Sequence, residues 1–384
     1  MTSVRRTART TLAGLLVAAS VASVAGCSGD DSGSATTGSA AAPTTTTGAA
    51  AATSSPGSAS TSSAAPSGPA LAAGNGTLTP QVLQRLGKTS FTDAELAGAS
   101  RGTWKGTGIA VRAQGQDVTL LVKEGATWKI VGGWWPSKGA PGPYLGGKRH
   151  VVALGSDARL GQDIQHSRAD TIQVVGVDGK GGGGILGLPR DTLTTLPNGS
   201  QGKINGAMVS GGPAGMARTV SRTTGIPLQG YLLTDFVGFQ RAVHAIGGIT
   251  VTLKRPVKDV PAGTHNLTAK QALTVARERK SLPGGDFDRS ANQGLILMSG
   301  YAKLRTLGPT RLPGLMTAIS PHMSSDLTPA QVLTLLASAY QANPSRVGRS
   351  VADGQAGSGP GGASVVRLTP AAKAEFGRFR DGNL

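Results

Sequence analysis

Apolar residues are absent in any regular spacing until about residue 76, and from there two periods alternate along the chain. TPQVLQRLG has Thr79 at a helix N-cap, Pro80 at the first helical position and Gly87 as a stop. GIAVRA, DVTLLVK and TWKIVGGWW follow as three strands separated by glycine-containing turns. From about Lys148 short β-branched runs (HVVALG, TIQVVGV, GILGLP, YLLTDF, ITVTL) alternate with segments of helical spacing (GPAGMARTVSRTTG, DFVGFQRAVHAIGG, LTAKQALTVARER). Capping boxes at Thr268/Gln271 and Thr328/Gln331 fix two helix starts. Such alternation predicts an α/β fold, a central sheet covered by helices, preceded by a small α+β unit over 76–140. Trp134 and Trp135 suit either the core of that small sheet or stacking on sugar rings, with core the more frequent use.

The residues before this pattern cannot bury a core. Residues 1–27 have a basic start (Arg5, Arg6, Arg9), a short apolar run and the box Val24-Ala25-Gly26-Cys27, which resembles the lipobox of bacterial lipoproteins. They read as an export signal, with Cys27 as the site of lipid attachment. Residues 28–75 are almost entirely Ser, Thr, Ala, Gly and Pro, with no charge after Asp31, the composition of a disordered tether. One cysteine excludes intramolecular disulfides and cysteine zinc sites, and the five histidines have no ligand-like spacing. The formal charge of +18 favours polyanionic partners. Aromatic residues are only 4% of the chain and form no basic-aromatic platform for stacking bases, so nucleic acid is not the expected partner of an exported protein. No obligate protein partner is expected.

Charges gather where strands and helices end. GSDARLGQDIQHSRADTI contributes Asp157, Arg159, Arg168 and Asp170; LPRD contributes Arg190 and Asp191; KIN contributes Lys203 and Asn205. ARERKSLPGGDFDRSANQ packs Arg277, Arg279, Lys280, Arg289 and Gln293 with Asp286 and Asp288 around a Pro-Gly-Gly turn. Any one of these suits a solvated loop, but strand ends are where open α/β sheets collect binding groups. Arg277 and Arg279 would point apart on a continuous helix, so sharing a ligand requires the helix to end beside them.

In this order GSD-A-R, RADTI, LPRD, KINGAMVSGGP, TDFVGF, AIGGITV, L-T-A-K-QAL, ARER, GGDFDR and SSDLTPAQ resemble the LytR-CpsA-Psr family of bacterial envelope proteins over about 148–384. The resemblance implies an α-β-α sandwich with an apolar cavity for a polyprenyl tail and a cationic mouth for its pyrophosphate. It implies transfer of a wall glycopolymer from a polyprenyl-pyrophosphate carrier to peptidoglycan through a phosphodiester bond. Arg190, Asp191, Arg277, Arg279 and Arg289 would carry the chemistry. Arg159, Arg168, Lys203, Asn205 and Gln293 would bind substrate, and Asp157 and Asp170 would hold magnesium, with manganese as a substitute. A polyprenyl pyrophosphatase, or a non-catalytic lipoprotein binding polyprenyl phosphate or wall polymer, fits the same residues. One departure stands out: Asn292 occupies a position where the family commonly has a second arginine. The chain is expected outside the cytoplasm, anchored to the membrane through lipidated Cys27 and facing the wall. Apolar faces of GLILMSGYAKL and AGMARTV are candidates for the cavity or for plain helix core.

Overall fold

The computed structural model describes residues 76–159 and 161–384; the export signal, Cys27 and the tether lie outside the described residues. Helix α1 (Pro80–Leu86) starts with Thr79 accepting from the Val82 N–H and ends at Gly87, whose φ of 71° suits a residue without Cβ. Strands β1 (Ser90–Phe91), β2 (Ser100–Trp104), β3 (Thr107–Gln114), β4 (Asp117–Glu124), β5 (Thr127–Trp135) and β6 (Ala140–Tyr144) form an antiparallel sheet ordered β1-β5-β4-β3-β2, with β6 beside β5. Trp134 and Trp135 are both buried, and Trp135 Nε1 donates to Thr119 Oγ1 at 2.8 Å, so both serve the core.

The second sheet is mixed. It uses β7 (Arg149–Ser156), β8 (Ala169–Val177) and β9 (Gly183–Gly187); a small ribbon of β10 (Leu193–Thr195) and β11 (Gln201–Lys203) then leads to α2 (Ala207–Thr224). Next come β12 (Tyr231–Thr234), α3 (Phe236–Ala245), the hairpin of β13 (Ile249–Leu253) and β14 (Gly263–Leu267), α4 (Ala269–Arg277), α5 (Asp286–Leu307) and α6 (Leu312–Ile319). The chain finishes with β15 (Met323–Ser325), α7 (Pro329–Gln341), β16 (Val347–Val351), the β17 (Gly354–Ser358) and β18 (Ser364–Leu368) hairpin, and α8 (Pro370–Phe379). Sheet order is β15-β12-β7-β8-β9-β16, with β12–β7 and β9–β16 parallel and the remaining pairs antiparallel. Burial on both faces explains why β7 and β8 read as nearly unbroken apolar runs.

Side chains alternate between the two layers. Val152, Leu154, Val174 and Leu186 pack with Met216 and Val220 of α2 and Phe376 and Phe379 of α8. That settles the AGMARTV stripe as core. Helix α2 starts before the span that its sequence spacing suggests and bends at Gly212-Pro213, where Gly212 takes φ 60° and the proline has no N–H to donate. On the opposite face of the sheet lie α3, α5, α6 and α7, giving an α-β-α sandwich.

The first sheet packs against this sandwich. Trp104, Ile109 and Leu120 share one core with Leu304 of α5, Leu312 and Met316 of α6 and Val332 of α7. Strand β2 comes so near α6 that a Cβ at Gly102 would meet the Pro313 carbonyl oxygen at 2.3 Å, which only glycine avoids. At the β2–β3 turn Lys105 holds φ 49°, a conformation costing a non-glycine residue about 1 kcal/mol. Its ammonium donates to Ser320 O at 2.9 Å and to Met323 O, clamping the end of α6. Among the described residues no helix is long and apolar enough to cross a membrane.

Candidate functional site

The ends of β7, β8 and β9 and the starts of α3 and α5 converge at the mouth of one large cavity. Gly155 pairs with Thr171 but Ser156 pairs with Ala169, so Asp170 is the extra residue of a β-bulge. Bulges re-aim side chains, and here Asp170 is directed to the mouth instead of into the sheet's regular alternation. Its carboxylate accepts from Arg190 Nη1 at 2.6 Å and lies 3.5 Å from Arg289 Nη1.

Arg190 follows β9 through Leu188-Pro189, and its backbone N–H donates to Asp286 Oδ2 at 3.0 Å. Asp286 opens α5, where a carboxylate interacts favourably with the unpaired N–H groups of the first turn. Its other oxygen accepts from Arg289 Nη2, one turn further on. Burial raises the Asp286 carboxyl above the ordinary range, and burial likewise lowers the Arg289 guanidinium. Both shifts oppose the mutual attraction of the pair, so desolvation dominates here.

Helix α4 stops at Arg277, and Glu278 turns extended at φ −64°, ψ 133°. The Glu278 side chain caps that turn, accepting from the Arg279 N–H at 2.9 Å and the Ser281 N–H at 3.0 Å. This ending lets Arg277 and Arg279, two positions apart, both reach the cavity wall. Arg277 also lies 4.2 Å above the Phe236 ring, a cation–π contact that fixes its stem. Gln293 donates to Asp170 O at 3.2 Å and to Ala276 O at 3.1 Å, tying α5 to both β8 and α4.

The cavity measures about 1170 Å³. Arg190, Arg277, Arg279 and Arg289 stand in its wall, a set of guanidinium groups that attracts an anion. Beyond the mouth the wall turns apolar, with Val243, Ile246, Leu297, Leu304, Leu315 and Leu336 among its lining. GLILMSGYAKL therefore supplies cavity wall, since α5 presents Ile296, Leu297, Gly300, Tyr301 and Leu304 to it. The cavity thus joins a cationic mouth to an apolar interior.

Seven residues singled out in the sequence line this cavity: Asp170, Arg190, Arg277, Arg279, Lys280, Arg289 and Gln293. The others stand outside its wall. Asp157 pairs with the neighbouring strand, its Oδ1 accepting from the Arg168 N–H at 3.0 Å, and Arg159 and Arg168 are exposed. Lys203 lies 3.1 Å from Asp191, and the Asn205 N–H donates to Arg190 O at 3.2 Å, so this group braces Arg190 from behind. Asn292 also lies off the wall. Sequence reasoning overlooked Asp286 as the hub joining Arg190 to Arg289; the readable signal was its i, i+3 spacing from Arg289 at a helix start.

A family model described as the LytR_cpsA_psr family matches residues 145–369. The polyisoprenyl-teichoic acid–peptidoglycan teichoic acid transferase TagU of Enterococcus faecalis is 30% identical over 185 residues, 46% of this chain and 61% of that relative. The chain thus spans less than two thirds of that relative's length. A protein of Streptococcus agalactiae superposes with a TM-score of 0.54 at 23% identity, covering 61% of this chain and 88% of that one. B. subtilis TagV superposes with a TM-score of 0.52 at 22% identity, covering 61% of this chain and 96% of that one. These two share the fold.

Proposed function

Given that the chain belongs to the LytR-CpsA-Psr family, we propose that it is a phosphotransferase moving a cell-wall glycopolymer from a polyprenyl-pyrophosphate carrier to peptidoglycan. The observation that carries this reading is the arginine cluster at the mouth of a long apolar cavity. The prenyl chain would occupy the space between α5 and α6. Its diphosphate would then meet Arg190, Arg279 and Arg289, whose planar forks bind phosphate oxygens in pairs. An acceptor hydroxyl attacks the phosphorus attached to the polymer, the bond to the bridging oxygen breaks, and the carrier leaves as its monophosphate, which takes up the proton the hydroxyl gives up. Fixed guanidinium groups stabilise the charge that builds on the phosphoryl oxygens and on the leaving group, so the protein's contribution is positional and electrostatic.

Asp170 and Asp286 hold the arginines in place, and an incoming diphosphate would take over part of their contacts. Asp170 at the mouth offers a hard oxygen donor of the kind that magnesium or manganese takes beside phosphate, and Asp157 would join it by giving up its contact with the Arg168 N–H. Asp170 would first exchange its arginine contacts. A metal held there would supply further neutralisation of the diphosphate. Lipidated Cys27 would tether the enzyme to the outer face of the membrane.

The test is incubation of purified protein with geranylgeranyl pyrophosphate and magnesium, with and without a glycan acceptor. Phosphate release or transfer by the parent protein, falling at least about 100-fold in Asp170→Ala, is the expected result. Release without transfer would make the protein a pyrophosphatase. Tight binding with no turnover would reduce it to a carrier-binding lipoprotein.

A further inference from the structure

Among the described residues only two non-glycine positions hold a positive φ, Lys105 at 49° and Lys258 at 53°. Both are lysines at the tips of two-residue turns. Lys258 begins the turn between Val257 and Val260, whose N–H groups donate to each other's carbonyl oxygens at 2.8 and 3.0 Å. The first position of such a turn favours glycine when its φ is positive, so a lysine there is strained. For Lys105 the compensation is internal, because its ammonium binds the carbonyl oxygens of Ser320, just after α6, and of Met323, at the start of β15. Lys258 carries the same backbone strain with no internal return: its ammonium has no partner among the described residues. It is exposed and lines the rim of the large cavity.

Lys270, on the first turn of α4, is also exposed, also on the rim and also without a side-chain partner. It stands seven residues before Arg277 on the same helix, roughly 10 Å along the axis. Lys270 is therefore set back from Arg277 by about two turns of helix. The residue types differ as well: arginine forks suit one fixed diphosphate, whereas flexible lysine ammoniums suit mobile, singly charged head groups.

From this contrast we infer that Lys258 and Lys270 form a docking rim for the head groups of an anionic phospholipid bilayer, seating the open side of the cavity on the membrane surface. Two flexible point charges carried on different elements match an array of head-group phosphates better than a single polydentate anion. The KRPVK segment adds Lys254 to the same exposed connection, while Arg255 lies 3.6 Å from Asp288 at the start of α5. The apolar wall behind the rim is where a chain leaving the bilayer core would enter. The inference stands on backbone geometry and charge, and does not need the transfer reaction.

The test compares full-length chains that all carry Cys27→Ser, so that no acyl group contributes. Sedimentation with vesicles of phosphatidylglycerol mixed into phosphatidylcholine, and of phosphatidylcholine alone, gives membrane affinity. Calorimetry with inorganic pyrophosphate reads the arginine site, and thermal unfolding reads the turn. Lys258→Gly is expected to weaken binding to the anionic vesicles about fivefold, and Lys258→Gly with Lys270→Gln about 25-fold, with the difference vanishing in high salt. Binding to neutral vesicles stays as in the parent. Pyrophosphate affinity is unchanged, and the melting temperature of Lys258→Gly is equal to the parent's or higher, because glycine relieves the strain. The inference fails if Lys258→Gly binds anionic vesicles as the parent does, or if the parent does not prefer them to neutral ones. It fails equally if pyrophosphate affinity drops in parallel, which would join the lysines to the arginine site, or if melting falls by more than about 3 °C, which would give Lys258 a structural role.

Discussion

Replacing Arg289 with methionine is expected to destabilise the protein by about 3–5 kcal/mol and to abolish turnover, because it strands a buried carboxylate. The Arg289 side chain is only 7% exposed and that of its partner Asp286 12%, so solvent cannot stand in for either. Removing the guanidinium leaves Asp286 with the Arg190 N–H and a distant Nε as its remaining neighbours. Adding Asp286→Asn should restore most of the lost stability, since an uncharged amide needs no counterion, and should leave activity absent. Urea unfolding of the single and double variants measures the first effect and phosphate release the second. The deficit of the single variant also depends on pH. Burial places the folded Asp286 pKa above its unfolded value, so its contribution is most favourable below the unfolded pKa and is lost as pH rises through the folded one. Acidification through that window should therefore shrink the deficit of Arg289→Met.

Arg190→Met is expected to lower turnover about 1000-fold with a much smaller loss of stability. Its side chain is 21% exposed and, apart from its contacts to Asp170 and Asp286, faces the cavity mouth, where the phosphoryl charge would develop. Arg159→Met and Arg168→Met supply the contrast. Both side chains are exposed and outside the wall, so each should change turnover less than about fivefold. Equal losses from all three substitutions would mean that the phosphate lies outside the cavity, near the β7–β8 connection. Steady-state rates with the same prenyl pyrophosphate decide between these positions.

Much of the architecture was legible because local rules and tertiary packing agree. The Thr79, Thr268 and Thr328 caps, the β-branched runs of the sheet and the end of α4 beside Arg277 all lie where their residue types favour. The charged bend both ends one helix and starts another. The start of α5 was harder to see because Gly285 offers no side-chain cap and its helix begins directly on the turn. Within the site, the residue types were legible in the sequence and their positions were not. Strand-end charges can point into the cavity or away from it, and only the register decides: the bulge turns Asp170 to the mouth, while Asp157, one strand over, is taken up by the Arg168 N–H. Lys203, Asn205 and Asp191 share the composition of a binding cluster yet meet one another and the Arg190 backbone. Lys258 was invisible in the sequence, since nothing in KRPVK marks a positive φ.

On the proposed function, one cavity receives both ends of a prenyl pyrophosphate. Diffraction from crystals grown with geranylgeranyl pyrophosphate tests it most directly. The account requires the diphosphate within hydrogen-bonding reach of Arg190, Arg279 and Arg289, with the isoprenoid running between α5 and α6 against Leu297 and Leu315. Density for the diphosphate on the Arg159–Arg168 side, or for a tail lying outside that space, would contradict it.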